Sequence, residues 1–154
     1  MTTREHIEDF LKQKRLALIG VSRKDTDFTR ALFREFLKRG YDAVPVNPGA
    51  EELDGRRCFR RVQDISPPVD GALLLTQPRA TESVVMDCAA AGIRRIWMYR
   101  AVGKGAVSKA AIGFCKSKGI AVIPGFCPHM FWPDAAFFHR LHGFFVKLTS
   151  GLSA

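Results

Sequence analysis

Apolar positions near the N-terminus recur at helical spacing: Ile7, Phe10 and Leu11 predict a helix over residues 4–13. Residues 15–20 follow as a short, nearly all-apolar run, the pattern of a strand covered on both faces. After a polar loop, Phe28, Leu32, Phe33, Phe36 and Leu37 mark one side of a helix ending at Gly40. Residues 41–46 predict a second strand, closed by Asn47-Pro48-Gly49. The stretch 50–69 is polar and turn-rich, with Gly55 and the Pro67-Pro68 pair. Strand 71–76, helix 80–91, strand 95–99, helix 106–118 and strand 120–124 complete the alternation, and a last amphipathic helix is predicted over about 134–150.

Strands that alternate with helices imply a parallel sheet, because a parallel connection needs a crossover long enough to hold a helix. The expected architecture is α/β: one domain spanning residues 1–154, a three-layer, Rossmann-like, doubly wound parallel sheet of about five strands, plus an extra C-terminal helix. In such folds ligands sit beyond the carboxyl ends of the strands, where strand order reverses. The loops after each strand are therefore the candidate site.

Composition narrows the class. With 47% hydrophobic residues the chain is that of an ordinary globular protein. It has no apolar run near the roughly 20 residues that cross a bilayer. Its first residues contain acids and lack an apolar core, so no secretory signal is expected and the expected compartment is the cytoplasm. Four cysteines (Cys58, Cys88, Cys115, Cys127) form no CxxC pair, and Cys88 and Cys115 fall on apolar helix stripes, where buried thiols are usual. The net charge of +9 is uneven: residues 88–154 hold one acid and nine Lys or Arg. Such a surface attracts polyanions of many kinds and does not choose among them.

The loop after the first strand reads Gly20-Val21-Ser22-Arg23-Lys24-Asp25-Thr26-Asp27. Glycine permits a sharp exit from the strand, a helix start favours phosphate, Ser22 adds a hydroxyl, and Arg23 and Lys24 add charge. A plain turn, with Thr26 or Asp27 as helix cap, is the alternative. The three-glycine dinucleotide fingerprint is missing. The second strand ends in Val46-Asn47-Pro48, with no carboxylate to grip a ribose diol, so an NAD dehydrogenase is disfavoured. Pro48 offers an apolar plate to an adenine ring, with Asn47 fixing the loop.

Gly20-Val21-Ser22-Arg23, the segment from Gly40-Tyr41 to Val46-Asn47-Pro48, Gly55, Pro68-Val69-Asp70, Gly92-Ile93 to Ile96-Trp97, and Gly119-Ile120 to Phe126-Cys127-Pro128 together resemble the stand-alone CoA-binding domain family. That family is similar to the nucleotide-binding domain of the succinyl-CoA synthetase alpha subunit, and the resemblance covers roughly residues 5–130. It implies binding of coenzyme A or an acyl-CoA, as a non-catalytic or regulatory module. By it, Gly20, Val21, Ser22, Arg23 and Lys24 would hold the CoA phosphates. Val46, Asn47 and Pro48 would border the adenosine, and Leu75, Thr76, Tyr99 and Arg100 would line the remaining edge. The lysine that the resemblance places just after the Asn-Pro turn is replaced by Ala50 and Glu51, so a 3′-phosphate needs another cation, such as Arg56 or Arg57.

Two further features support rival readings. Cys127-Pro128-His129 follows the last strand, and a thiol beside a histidine suggests a nucleotide-dependent enzyme. A loop cysteine packed on Phe126 and Met130 is the plainer reading, and neither catalytic nor metal-binding residues are expected. The final helix carries Phe137, Phe138, Leu141, Phe144, Phe145 and Leu148 on one side and basic residues on the other. Such a helix packs on the sheet or forms a homodimer contact; a nucleic-acid or membrane adaptor is the rival, with no nucleic acid expected.

Overall fold

Local chemistry decides where each helix begins. In the computed structural model, which describes residues 1–133, Thr2 caps helix α1 (Thr3–Leu11) in a reciprocal box with Glu5. The Asp27 carboxylate caps α2 (Phe28–Lys38), accepting from the Thr29 N–H at 2.9 Å. Helix α3 (Pro78–Ala90) opens on Pro78, whose missing N–H costs nothing in a first turn. Ser108 caps α4 (Lys109–Ser117). That cap places the start of α4 three residues later than the apolar pattern predicts, because Ala106 N–H is held by the Tyr99 carbonyl at 2.8 Å.

Between the helices run β1 (Arg15–Ile19), β2 (Asp42–Val46), β3 (Glu52–Leu53), β4 (Arg56–Arg57), β5 (Gly71–Leu74), β6 (Arg95–Met98) and β7 (Ala121–Pro124). Five of them form one parallel sheet in the order β2-β1-β5-β6-β7. The chain winds from β1 outward to β2, then crosses back to β5 on the other side of β1. Strand order reverses between β1 and β5, as the doubly wound expectation requires.

Successive side chains of a strand point to opposite faces, and β1 shows it. Leu16 and Leu18 join Ile7, Phe10, Phe33, Phe36, Leu73 and Trp97 under α1 and α2. Ala17 and Ile19 join Leu74, Val85, Cys88, Ile96 and Cys115 under α3 and α4. Trp97 is fully buried; it meets the Phe10 ring edge-on at 5.4 Å and donates its Nε1–H to the Gly125 carbonyl at 2.7 Å. Burial also pushes the Cys88 and Cys115 thiols up, to about 12 and about 11, so both stay neutral.

The turn-rich stretch 50–69 has more order than its composition suggests. Asp54 and Gly55, at φ of 49° and 76°, make a two-residue turn that closes an antiparallel β3–β4 hairpin. After it, Phe59 bridges Val46 in parallel along the outer edge of β2. The helix predicted over about 134–150, and with it the homodimer and adaptor readings, lies outside the described residues. Among the described residues no helix is long and apolar enough to cross a membrane.

Candidate functional site

Gly20 stands at the exit of β1, where the strand order reverses. Its φ is +101°, and a Cβ there would lie 2.9 Å from the Leu75 carbonyl oxygen. Any larger residue faces both backbone strain and a collision with the chain leaving β5. Beside this tight crossing opens a cleft of about 390 Å³, walled by Ile19, Gly20, Val46, Asn47, Pro48 and Thr76 from the strand ends. Val62 and the face Ala80, Val84 and Asp87 of α3 close its other side, and Arg60 and Arg61 stand at its rim. Its size and mostly apolar walls suit a small organic ligand. A larger, open hollow of about 950 Å³ flanks the β3–β4 hairpin and shares Pro48 and Arg60 with it, but away from the strand-order reversal.

Asn47 joins the two loops that meet at the cleft. Its side-chain amide donates to the Val21 carbonyl at 2.8 Å, and its Oδ1 accepts the Gly49 N–H at 2.7 Å. Arg23 lies over the same turn, its Nη1 donating to the Gly49 carbonyl at 3.4 Å. A second clamp comes from Arg30, which is buried. It makes a two-pronged bond to Asp54 at 3.0 Å on each prong, and its remaining nitrogen donates to the carbonyls of Arg23 at 3.0 Å and Ser22 at 3.4 Å. One guanidinium thus ties the loop after β1 to the hairpin tip. Arg34 adds bonds to Asp54 and Asp25.

Several amides of that loop are occupied. Gly20 N–H donates to Val46, Ser22 N–H to the Thr29 hydroxyl, Lys24 N–H to the Ser22 hydroxyl, and Asp27 N–H to Lys24. The Asp27 carboxylate sits on the helix start, its own pKa lowered by its bonds to Thr29. Of the two caps the sequence offers, Thr26 and Asp27, the structure uses Asp27, whose carboxylate accepts the Thr29 N–H in the first turn of α2. Arg23 and Lys24 on the same loop are exposed and add positive charge.

Of the residues singled out from sequence, Gly20, Val46, Asn47, Pro48 and Thr76 line one cleft. Val21 is fully buried on the α1/α2 side and does not line the cleft; its carbonyl accepts from the Asn47 side chain. Leu75 packs on that same side, its N–H donating to Ile19 at 2.8 Å. Tyr99 also lies there, its ring 5.4 Å from that of Phe28. Burial, then the neighbouring Cys127, pushes its phenol well above the ordinary range. Arg100 is exposed past the end of β6, its N–H on the Phe126 carbonyl at 3.2 Å.

Neither arginine that the sequence offers for a 3′-phosphate, Arg56 or Arg57, lines this cleft. Arg56 pairs with Asp42 at the amino end of β2, the wrong end of the strand, and Arg57 lies over the Phe59 ring at 4.6 Å. Arg60 and Arg61 occupy the rim instead. Nothing local in the sequence distinguishes them; only the Phe59–Val46 bridge brings them there. The α3 residues were detectable, since Ala80, Val84 and Asp87 share a helical face. Asp54-Gly55 was a hairpin signal.

Cys127 is buried, and burial pushes its thiol up, only partly offset by bonds to the His129 backbone and the Tyr99 side chain. A nucleophilic cysteine needs the opposite shift. The His129 ring packs edge-on against Trp132 at 5.2 Å.

Residues 14–133 match the family described as CoA binding domain, and the chain belongs to it. Among known proteins it is similar to the uncharacterized protein YneT of Bacillus subtilis, 23% identical over 81% of this chain and 90% of that protein. It also matches the ADP-forming acetate–CoA ligase of Methanocaldococcus jannaschii, 24% identical over 53% of this chain but only 12% of the ligase. Among solved structures, a hypothetical protein from Pyrococcus horikoshii superimposes with a TM-score of 0.75 at 26% identity, covering 83% of this chain and 87% of that one. The dinucleotide-forming acetyl-coenzyme A synthetase 1 of Ca. Korarchaeum cryptofilum shares the fold, at a TM-score of 0.64 and 24% identity over 75% of this chain and 26% of the synthetase.

Proposed function

Starting from membership in that family, we propose that this chain binds coenzyme A or an acyl-CoA in the cleft beside Gly20, as a binding or regulatory module. The observation that carries this reading is the Gly20 crossing, where the β1 exit lies so close to the Leu75 carbonyl that a Cβ would sit 2.9 Å from it. The crossing stands where strand order reverses, beside a cleft large enough for the nucleotide end of such a ligand. In this reading the adenine lies against Pro48 and Val46, and the pyrophosphate runs toward Gly20 and the charged Ser22–Lys24 stretch. Thr76 borders the ligand on the β5 side. Leu75, Tyr99 and Arg100 belong to the further edge, where an acyl-bearing arm would pass.

A module that binds without turnover also accords with the Cys127 thiol, which burial keeps in its unreactive neutral form. The test is thermal and calorimetric titration of the full chain with CoA, acetyl-CoA and a long-chain acyl-CoA. At a ligand concentration a hundred times its dissociation constant, about 2.7 kcal/mol of added stability is expected. No shift of the melting temperature with any of the three would overturn the reading.

A further inference from the structure

We infer that Arg60 and Arg61 form the subsite that reads the nucleotide's 3′-phosphate, so that this cleft takes 3′-phosphorylated adenine nucleotides in preference to their dephosphorylated counterparts. The inference rests on the CoA-binding reading and identifies the residues that set its specificity.

Backbone register comes first. Phe59 bridges Val46 in parallel; its N–H donates to the Pro45 carbonyl at 3.0 Å, and its carbonyl accepts the Asn47 N–H at 2.9 Å. The two residues that follow Phe59, Arg60 and Arg61, are thereby brought to the carboxyl end of β2, beside Asn47 and Pro48 in the cleft wall. Both arginines line the cleft, and Arg60 also stands on the ridge shared with the outer hollow.

The other nearby arginines are committed elsewhere. Arg56 is on Asp42, Arg57 covers Phe59, Arg30 and Arg34 share Asp54, and Arg23 reaches Gly49. No described carboxylate forms an ion pair with Arg60 or Arg61. On the opposite wall Asp87 accepts from the Gln63 side-chain amide at 2.8 Å, so an anion is repelled from α3 and directed to the arginine rim.

The ligand has two separate anionic groups, and the cleft has two ends. With adenosine against Pro48, the 5′-pyrophosphate runs to Gly20, and the 3′-phosphate is the anion left on the β2 side. Two guanidinium forks match a phosphate dianion in charge and geometry. The position after the Asn-Pro turn, with Ala50 and Glu51, supplies no cation for that role.

The experiment is calorimetry on the full chain with CoA and 3′-dephospho-CoA, using the native protein and the Arg60→Gln/Arg61→Gln variant. The native protein is expected to favour CoA by about tenfold or more, the worth of charged hydrogen bonds to one phosphate. In the variant the ratio should fall to near one, with affinity for 3′-dephospho-CoA falling far less than that for CoA, and the retained binding also shows that the variant is folded. If the double variant binds neither ligand, the single variants Arg60→Gln and Arg61→Gln carry the test, and at least one must lower the ratio. Equal native affinities, or a ratio that survives the substitutions, would overturn the inference and leave CoA binding intact. If the native protein binds neither ligand, the CoA reading fails and the inference with it.

Discussion

At Gly20 two independent constraints act on one residue. The φ of +101° is strained for any side chain, and the Leu75 carbonyl occupies the space a Cβ needs. Gly20→Ala is therefore expected to destabilise the protein by about 1–3 kcal/mol and to weaken CoA binding beyond that loss. Urea unfolding gives the first quantity, and calorimetry at a temperature where the variant is fully folded gives the second. Retained stability would mean that the crossing relaxes at little cost. Cys127 makes a second case at this scale. Its thiol is buried and its pKa raised, so alkylation near neutral pH should be much slower in the folded protein than in denaturant. Peptide mapping after a timed iodoacetamide pulse reads the difference, and rapid native labelling at Cys127 would contradict the burial.

Among the elements, the β3–β4 hairpin depends on a salt link for its position. Only two residues form each strand, too few for a hairpin to hold itself in water. Arg30 binds Asp54 at its tip and, through the carbonyls of Ser22 and Arg23, the loop after β1. The Asp54 carboxyl is held below its ordinary value first by the Arg30 hydrogen bonds, against some desolvation, with Arg34 adding to the effect. A carboxyl with a depressed folded-state pKa contributes stability above its unfolded value and loses it as pH falls through the folded one. Asp54→Asn should thus lower stability at pH 6–7, and the gap from the native protein should close below about pH 4. Urea midpoints for both proteins across that range provide the check. A gap that does not vary with pH would show that Asp54 acts through packing rather than through its charge.

The whole molecule places basic side chains around a cleft whose walls are mainly apolar. Arg60 and Arg61 line that cleft, and Arg23 and Lys24 stand on the loop after β1, at the same end of the sheet. All four are exposed, so their pull on an anionic ligand is screened by salt. CoA affinity should fall steadily as sodium chloride rises from about 0.05 to 0.5 M, whereas the stability of the ligand-free protein, which rests on the two buried faces of the sheet, should change little. Titrations across that salt series separate the two; an affinity indifferent to salt would assign the binding energy to the apolar walls alone.

Element order, the parallel sheet and the two-sided core were legible from the chain, because periodicity and caps are local properties that tertiary packing only had to accept. Leu16 and Leu18 alternate with Ala17 and Ile19 whatever surrounds them, and Gly20 and Asn47-Pro48 follow their strands in any arrangement with this order. Register across distant segments was not legible. That Phe59 docks beside Val46, carries Arg60 and Arg61 to the rim and takes Arg56 to the far end of β2 depends on hydrogen bonds between residues more than ten positions apart. The burial of Arg30 against Asp54 is likewise set by packing, whereas the Asp27 cap of α2 is a contact two residues long that the chain offers by itself. A charged side chain has no periodic signature of its own, so only the folded chain decides whether it pairs or stays free to meet an anion.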